Sequence, residues 1–218
     1  MSGAVPGPSE RLMLGADPKR LIVLRHGQTT HNVGGIWQGH LDTELSAVGR
    51  DQARAAGIAI AERRPDLIRA SDLQRAYATA EAVAARTGLA IQADERLREI
   101  DVGSWQGRSS DQVRETHGDD LEAIAAGEDR RRGDTGETVA EVAERALAAT
   151  KDVIADLAPG QLGVIVTHGV AGRALAAALV GIELHAAWLG LGGLHNCHWA
   201  ELTEGAHGWR IEKWNAHA

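Results

Sequence analysis

Two short aliphatic runs in this chain each lead into a histidine that is followed by a glycine. The first is LIVL at 21–24, ahead of Arg25 and His26, and the second is LGVIVT at 162–167, ahead of His168. Aliphatic runs of this length are typical of strands buried in a parallel sheet. Open α/β sheets bind ligands beyond the carboxyl ends of their strands. The sequence therefore predicts a ligand site at one edge of a sheet, with both histidines in it.

The rest of the chain alternates between helix-like and strand-like segments. Apolar spacing predicts helices over 46–64, 73–86, 138–157 and 169–181, and strands over 66–72 and 89–94. Asp134 and Glu137 have the spacing of a capping box at the start of the third of these helices. The tail alternates apolar and polar residues over 197–204 and 208–215, which predicts an antiparallel hairpin. The expected fold is α/β, a three-layer α/β/α sandwich with a mostly parallel sheet and antiparallel additions.

The length and local composition suggest how the chain is divided. At 218 residues it is long enough for one large α/β domain, which we expect over 20–218. Residues 1–19 contain Gly, Pro and Ser but no apolar segment, so we expect a disordered leader and not a signal peptide. Residues 107–134 are polar apart from a short helix near Ser109, and we expect this insertion to form a lid over the site.

Charge and cysteine content exclude several classes of protein. The net charge of −7, from 30 acidic and 23 basic residues, argues against a nucleic-acid partner. The longest apolar stretch, 174–182, is far shorter than the roughly 20 residues that span a bilayer, so no membrane partner is expected. Cys197 is the one cysteine in the sequence. It cannot form an internal disulfide, which favours a reducing compartment, and we expect a cytoplasmic protein.

Arginine at the end of a buried strand requires an anionic partner. Arg25 is a permanent cation, and burying it alone would be costly. Arg75 follows the predicted strand at 66–72 and could point over the same edge. Two arginines and two histidines facing one point suit a dianion, and phosphate matches the forked geometry of guanidinium groups. Helix spacing alone, however, favours an exposed Arg75 paired with Asp72 or Glu81.

A histidine held against a phosphorus atom can bind a phosphate group or attack it. Attack by His26 would form a phosphohistidine and divide one difficult displacement into two easier ones. The leaving alcohol then needs a proton, and the loop after the third strand offers Glu95, Glu99 and Asp101 as acids. Other histidines have no recognised zinc spacing, so we expect no metal. They include His31, His40, His195 and His198.

Five segments of the chain occur in an order and spacing that identify a known family. They are RHGQTTHN, SDLQRAYATAEAVA, LREIDVGSWQG, GETVAEVAERA and VTHG. Together they resemble the histidine phosphatase superfamily, also called the phosphoglycerate mutase-like family, over about residues 20–200. The resemblance implies a phosphoglycerate mutase-like fold, a histidine phosphatase domain and no cofactor. Because dimers are frequent in this family, it also implies a homodimer.

The resemblance further implies roles for individual residues. It assigns His26 as the phosphorylated nucleophile and Glu99 as the proton donor, which decides among the three candidate acids. Around them it implies a phosphate pocket formed by Arg25, Arg75 and His168. Three further groups would contact the substrate: Asn32, Gln38 and Gly169.

The resemblance favours the phosphatase branch of the family. Mutases carry a longer insertion with a proline-rich stretch after the acid motif, which this chain lacks, and Gln28 replaces the glutamate of the common RHGE motif. With the late GLGGLHNCHW segment, the motifs closely resemble actinobacterial glucosyl-3-phosphoglycerate phosphatases. The expected activity is metal-independent hydrolysis of a small phosphomonoester, a phosphorylated sugar or glycerate such as glucosyl-3-phosphoglycerate. A phosphoglycerate mutase and a non-catalytic phospho-ligand-binding module are the alternatives.

Trp37 and Trp105 flank the site loops and could stack on a sugar.

Overall fold

A six-stranded sheet forms the centre of the molecule. The computed structural model describes residues 17–218. The strands are Arg20–Arg25 (β1), Leu67–Ala70 (β2), Ile91–Ala93 (β3), Leu162–Thr167 (β4), Trp199–Gly205 (β5) and Gly208–Ala216 (β6). Their order is β3-β2-β4-β1-β5-β6; β1 to β4 are parallel, and β5 and β6 are antiparallel additions. The predicted mostly parallel sheet with a terminal hairpin is confirmed.

Helices cover both faces of this sheet. They are Thr30–Val33 (α1), Ala47–Ala61 (α2), Gln74–Thr87 (α3), Ser110–Ala125 (α4), Val139–Asp156 (α5), Gly169–Val180 (α6) and Leu184–Gly190 (α7). The apolar spacing in the sequence predicts α2, α3, α5 and α6. It does not predict α1 or α7, because so short a helix contains too few turns to show a period. In the part of the chain that the structure describes, no helix is long and apolar enough to cross a membrane.

Side chains of β1 alternate between the two faces of the sheet. Ile22 and Leu24 pack in one apolar core with residues of α2 and α3. Leu21 and Val23 pack in a second core with residues of α5 and α6. All four side chains are buried, as an uninterrupted aliphatic strand requires when helices cover both faces. The α/β/α layering is therefore confirmed, and β1 ends near the middle of the carboxyl edge.

The start of α5 differs from the predicted capping box. Thr138 is the N-cap residue, and its box partner is Glu141, not the pair Asp134 and Glu137. Asp134 has a φ of 62° and lies in a turn before the helix. Glu137 uses its carboxylate to accept the backbone N–H of Asp101 at 2.9 Å. Asp134 with Glu137 and Thr138 with Glu141 both have capping-box spacing. The prediction was wrong because the contact to Asp101 engages the carboxylate of Glu137.

Most of the predicted polar insertion over 107–134 is the helix α4. Ser109 begins it with a capping box, and the helix bends at His117, where φ and ψ are −137° and 37°. Val113 and Ile124 are buried in a third apolar core. The insertion is thus packed against the neighbouring helices, and its role as a lid stays a prediction.

The predicted leader lies outside the described residues except at 17–19. There the carbonyl oxygen of Asp17 accepts the backbone N–H of Gly160 at 2.7 Å. The Lys19 ammonium donates to the carbonyl oxygen of Ile154, also at 2.7 Å. These three residues therefore lie against the domain, and the prediction of disorder does not hold for them.

Candidate active site

Parallel pairing of β1 with β4 brings the two His-Gly segments together at the carboxyl edge. The register places Arg25 beside Thr167, and the backbone N–H of His26 donates to the carbonyl oxygen of Thr167 at 3.0 Å. The imidazole centroids of His26 and His168 are 5.2 Å apart, with the rings edge to face at 61°. Both residues are buried, at 2% and 0% exposure. A single phosphate-sized group can therefore touch both rings.

His26 is held by one ring nitrogen, and its ring lines a cavity. Nδ1 lies 2.6 Å from the carbonyl oxygen of Gly27, which can only accept, so Nδ1 carries a proton. Nε2 keeps its lone pair and has no partner among residues 17–218. Burial, followed by the positive charges of Arg75 and Arg25, lowers the pKa of His26 well below 6.5. The ring is neutral at neutral pH, as a nucleophilic imidazole must be.

The loop after His26 packs backbone against backbone on the start of α2. A Cβ atom added to Gly27 would lie 2.4 Å from the carbonyl oxygen of Gly49. A Cβ added to Gly49 would lie 2.0 Å from the carbonyl oxygen of Gln28. The N–H of Gly27 also donates to Oγ1 of Thr79, on α3, at 3.1 Å. Two helices thus fix the position of the loop that follows His26.

Arg25 and Arg75 bring two guanidinium groups to the same edge. Arg75 is 1% exposed and donates to the carbonyl oxygens of Gly39 and Leu41 at 2.8 and 2.7 Å. Arg25 donates to the carbonyl oxygen of Leu194. Neither forms an ion pair with a described carboxylate, and the Nε atom of each is buried without a partner. Burial lowers the pKa of Arg75 to about 10, so it stays charged at neutral pH. Two buried cations without a direct ion pair favour the binding of an anion here.

The prediction of an exposed Arg75, which helix spacing favours, is wrong. Asp72, one of its expected partners, instead accepts from Arg98 at 2.8 Å. Glu81, the other, is exposed. Arg75 shares the buried face of α3 with Thr79, four residues on, and this face looks toward the sheet. Tertiary contacts to backbone carbonyls take the place of the local ion pair.

Glu99 is anchored at the start of α6. Its carboxylate accepts the backbone N–H groups of Gly169 at 3.0 Å, Val170 at 3.2 Å and Ala171 at 3.0 Å. It also accepts the N–H of Ile100 at 3.0 Å. A helix N-terminus presents unpaired N–H groups and attracts negative charge, which explains this position. The Gly169 N–H expected to contact substrate is therefore engaged by Glu99.

The other two candidate acids lie away from the cavity. Asp101 accepts the backbone N–H of Gly103 at 2.8 Å, which supports a tight turn. Glu95 begins the short 3₁₀ helix Glu95–Leu97. Of the three carboxylates, Glu99 alone is among the residues that line the cavity.

Asn32 and Gln38 line the cavity with their carboxamide oxygens engaged. The backbone N–H of Thr29 donates to Oδ1 of Asn32 at 3.0 Å, within the capping box that begins α1. The hydroxyl of Thr43 donates to Oε1 of Gln38 at 2.6 Å. Their NH2 groups have no partner in the described part of the chain. Each amide can therefore donate to a ligand.

The cavity has a volume of about 240 Å³. Besides the residues above, its wall includes His31, Ile36, Trp37 and Ser110. Sequence reasoning did not place Ile36 or Ser110 there, because they meet through a bridge between Ile36 and Ser109 that no local pattern indicates. The expectation that Trp105 could stack on a sugar is wrong. Trp105 is fully buried and packs edge to face on Trp37, with centroids 5.1 Å apart.

The histidines considered as metal ligands have other contacts. Nε2 of His40 lies 2.8 Å from the carbonyl oxygen of Glu99 and donates to it. The rings of His195 and His198 pack edge to face, 5.2 Å between centroids. Among residues 17–218, no group of three His, Cys, Asp or Glu side chains is arranged to hold a metal ion.

Comparison with known proteins identifies relatives of the chain. The family model of the histidine phosphatase superfamily (branch 1) matches residues 21–217. The chain is 40% identical over 220 residues to glucosyl-3-phosphoglycerate phosphatase of Mycobacterium tuberculosis, covering 92% of this chain and 96% of that relative. A solved structure of mycobacterial glucosyl-3-phosphoglycerate phosphatase with VO3 has a TM-score of 0.84 at 39% identity, covering 90% of this chain and 99% of the other. A probable phosphoglycerate mutase of Yersinia enterocolitica is 31% identical over 167 residues, covering 77% of each chain.

The phosphatases among these relatives are more similar to the chain than the mutase is, and they match more of its length. This supports a phosphatase over both alternatives, the mutase and the non-catalytic binding module. The family model covers almost the whole described chain and every motif that lines the cavity. The chain belongs to the histidine phosphatase superfamily.

Proposed function

We propose that this chain hydrolyses a small phosphomonoester through a phosphohistidine formed on Nε2 of His26. One observation carries the proposal: a neutral imidazole with an unpartnered Nε2 lies beside two buried guanidinium groups that form no ion pair with a described carboxylate. The guanidinium groups attract a phosphate dianion and the imidazole can attack its phosphorus atom. No metal ion takes part in this mechanism.

In the first step, Nε2 of His26 forms a bond to phosphorus while the bond from phosphorus to the ester oxygen breaks. Arg25, Arg75 and His168 stabilise the charge that spreads over the other phosphoryl oxygens. The alcohol leaves with a proton from the carboxyl group of Glu99. A substrate that arrives as the monoanion supplies this proton to Glu99 on binding, which balances the step.

In the second step, a water molecule attacks the phosphohistidine. Glu99, now a carboxylate, accepts a proton from this water, and the bond between phosphorus and Nε2 breaks. Inorganic phosphate leaves and His26 returns to its neutral form. Asn32 and Gln38 donate to phosphoryl oxygens in both steps, because their NH2 groups have no other described partner.

The substrate we propose is a phosphorylated sugar or glycerate, with glucosyl-3-phosphoglycerate as the first candidate. Its support is the name of the phosphatase that is 40% identical over most of this chain. The cavity wall suits such a molecule, because it includes the indole of Trp37 and the hydroxyl of Ser110. We also propose that the chain forms a homodimer in the cytoplasm and that residues 107–134 form a lid over the site.

The proposal is tested by phosphate release from a panel of substrates in the presence of EDTA. The panel contains glucosyl-3-phosphoglycerate, 3-phosphoglycerate, phosphoserine and fructose bisphosphate. We expect turnover that EDTA does not reduce, and transient ³²P labelling of His26 that is rapidly lost to water. A long-lived phosphoenzyme that returns its group to a sugar or glycerate would instead indicate a mutase. Tight binding of phosphate esters without turnover would indicate a binding module.

A further inference from the structure

Ser71 directly follows the strand β2 and contacts the second histidine of the site. Its Oγ is 2.9 Å from Nε2 of His168, and both residues are fully buried. We propose that Ser71 is a positioning residue that fixes His168 as the tautomer with its proton on Nδ1. The proton on Nδ1 makes this ring a hydrogen-bond donor to the transferred phosphoryl group. The donor role rests on the proposed function, whereas the tautomer does not.

The hydrogen bonds of Ser71 determine the direction of this contact. The backbone N–H of Leu73 donates to Oγ of Ser71 at 3.3 Å, so one lone pair of the hydroxyl is already in use. A hydroxyl has a single proton to donate. Nε2 of His168 is the acceptor that the described residues provide for it. The proton of Ser71 therefore points to Nε2, and Nε2 must be unprotonated.

The opposite arrangement would leave two groups unsatisfied. If Nε2 carried the proton, it would donate to Ser71, and the buried hydroxyl proton would have no acceptor among residues 17–218. Nδ1 would then be a buried acceptor without a donor, since it has no described partner. Each unsatisfied buried polar group is costly. With the proton on Nδ1, the hydrogen bonds of the hydroxyl are satisfied, and only the Nδ1–H has no partner among the described residues.

The position of His168 indicates what that partner is. Its ring does not line the open cavity but packs against His26, 5.2 Å away between centroids. A phosphoryl group bonded to Nε2 of His26 would bring its oxygens to the neighbouring ring. Burial, followed by the positive charge of Arg75, lowers the pKa of His168 well below 6.5. A neutral imidazole has only one N–H, so the choice of tautomer decides whether it can donate to the phosphoryl oxygens.

The direct test is ¹⁵N NMR of the histidine rings in the wild-type protein, with and without inorganic phosphate. His168 is assigned by the loss of its signals in His168→Gln. We expect a protonated Nδ1 and an unprotonated Nε2 in the free protein, and a change at Nδ1 when phosphate binds. A protonated Nε2, or a mixture of tautomers, would overturn the proposal even if the protein is an active phosphatase. The expected tautomer in a protein without phosphatase activity would leave the tautomer standing and remove the proposed function.

Variants of Ser71 separate positioning from packing. Ser71→Ala removes the hydroxyl, and we expect mixed tautomers and about a tenfold fall in kcat with a smaller change in KM. Ser71→Thr keeps the hydroxyl and should restore both the tautomer and kcat. Thr150→Val is the matched control, because it removes a fully buried hydroxyl on α5, whose bond is to Ala146, without touching the site. An unchanged kcat in a folded Ser71→Ala protein would contradict the role. If neither variant folds, the wild-type NMR result decides alone.

Discussion

Oε2 of Glu99 lies 3.0 Å from the backbone nitrogen of Gly169, at the first turn of α6. This contact joins two segments that are distant in the sequence. Gly169 follows His168 at the end of β4, and Glu99 belongs to the loop after β3. The carboxylate is held by backbone groups and does not depend on a neighbouring side chain for its position. Glu99 is thus placed at the cavity before any substrate enters.

Replacement of His26 should abolish turnover. We expect His26→Ala to lower kcat by more than about a thousandfold, because the variant has no imidazole at the end of β1 to attack the phosphorus atom. Phosphate release and ³²P labelling measure the loss. His207→Ala, in the exposed turn between β5 and β6, is the control and should keep full activity. Labelled protein in the His26 variant would mean that another residue accepts the phosphoryl group.

Inorganic phosphate should stabilise the protein by forming the ion pairs that Arg25 and Arg75 lack. At a phosphate concentration one hundred times its Kd, the free energy of unfolding should rise by about 2.7 kcal/mol. Thermal unfolding with and without phosphate measures this as a rise in Tm. Arg75→Lys should weaken the effect, because lysine cannot keep both carbonyl contacts and also face the anion. Arg210→Lys, at an exposed ion pair, should behave like the wild type.

Glu99→Gln should discriminate between leaving groups. A sugar or glycerate alkoxide needs a proton to leave, so kcat should fall about a hundredfold for these substrates. A nitrophenolate leaves without one, so nitrophenyl phosphate should lose less than about tenfold. Glu95→Gln, away from the cavity, is the matched control. Equal losses for both kinds of substrate would show that Glu99 is not the acid.

Acid should destabilise the fold through His26 and His168. Both have pKa values in the folded protein well below the ordinary 6.5, so below pH 6.5 the unfolded chain binds protons that the folded protein does not. The free energy of unfolding should therefore be insensitive to these two groups above pH 6.5 and fall below it. Together they should contribute a slope of up to about 2.7 kcal/mol per pH unit.

Urea unfolding between pH 5 and 7.5 measures this slope. His26→Gln should lose about half of it, because one of the two buried imidazoles is gone. For the same reason, kcat/KM should fall on the acid side only below the ordinary histidine range. A slope unchanged in His26→Gln would contradict the buried neutral state.

Trp37 should affect the alcohol part of the substrate and not its phosphate. Trp37→Leu keeps an apolar side chain but removes the aromatic face at the cavity wall. We expect KM to rise about fivefold to tenfold for glucosyl-3-phosphoglycerate, within the range of one lost aromatic contact. KM for 3-phosphoglycerate should change little. Parallel changes for both substrates would indicate a general distortion of the site.

The fold was predictable because it follows from short-range patterns. The aliphatic runs of β1 and β4 and the helical spacing of α2, α3, α5 and α6 are visible within single segments. The juxtaposition of His26 and His168 also follows, since parallel strands share a carboxyl edge. Contacts between segments that are distant in the sequence leave no local pattern, and they account for the wrong predictions. Arg75 donates to carbonyl oxygens of residues more than 30 positions away, and the carboxylate of Glu137 accepts the backbone N–H of Asp101.

Ser71 shows the same division between local and distant information. Its place after β2 is visible in the sequence, but its bond to a histidine 97 residues later is not. Ile36 and Ser110 reach the cavity because of a similar long-range contact. The family resemblance supplied what the local patterns could not, as in the choice of Glu99 over its neighbours.

The absence of side chains where Gly27 meets Gly49 extends the sensitive region of this enzyme beyond the residues that could touch a ligand. An alanine at 49 would push on the turn beside His26 although it stands more than twenty positions from it in the chain. Directed-evolution libraries restricted to the cavity wall would leave this position unchanged. In a natural variant of such a protein, a change at this helix start is expected to displace the loop that carries His26, although it touches no ligand.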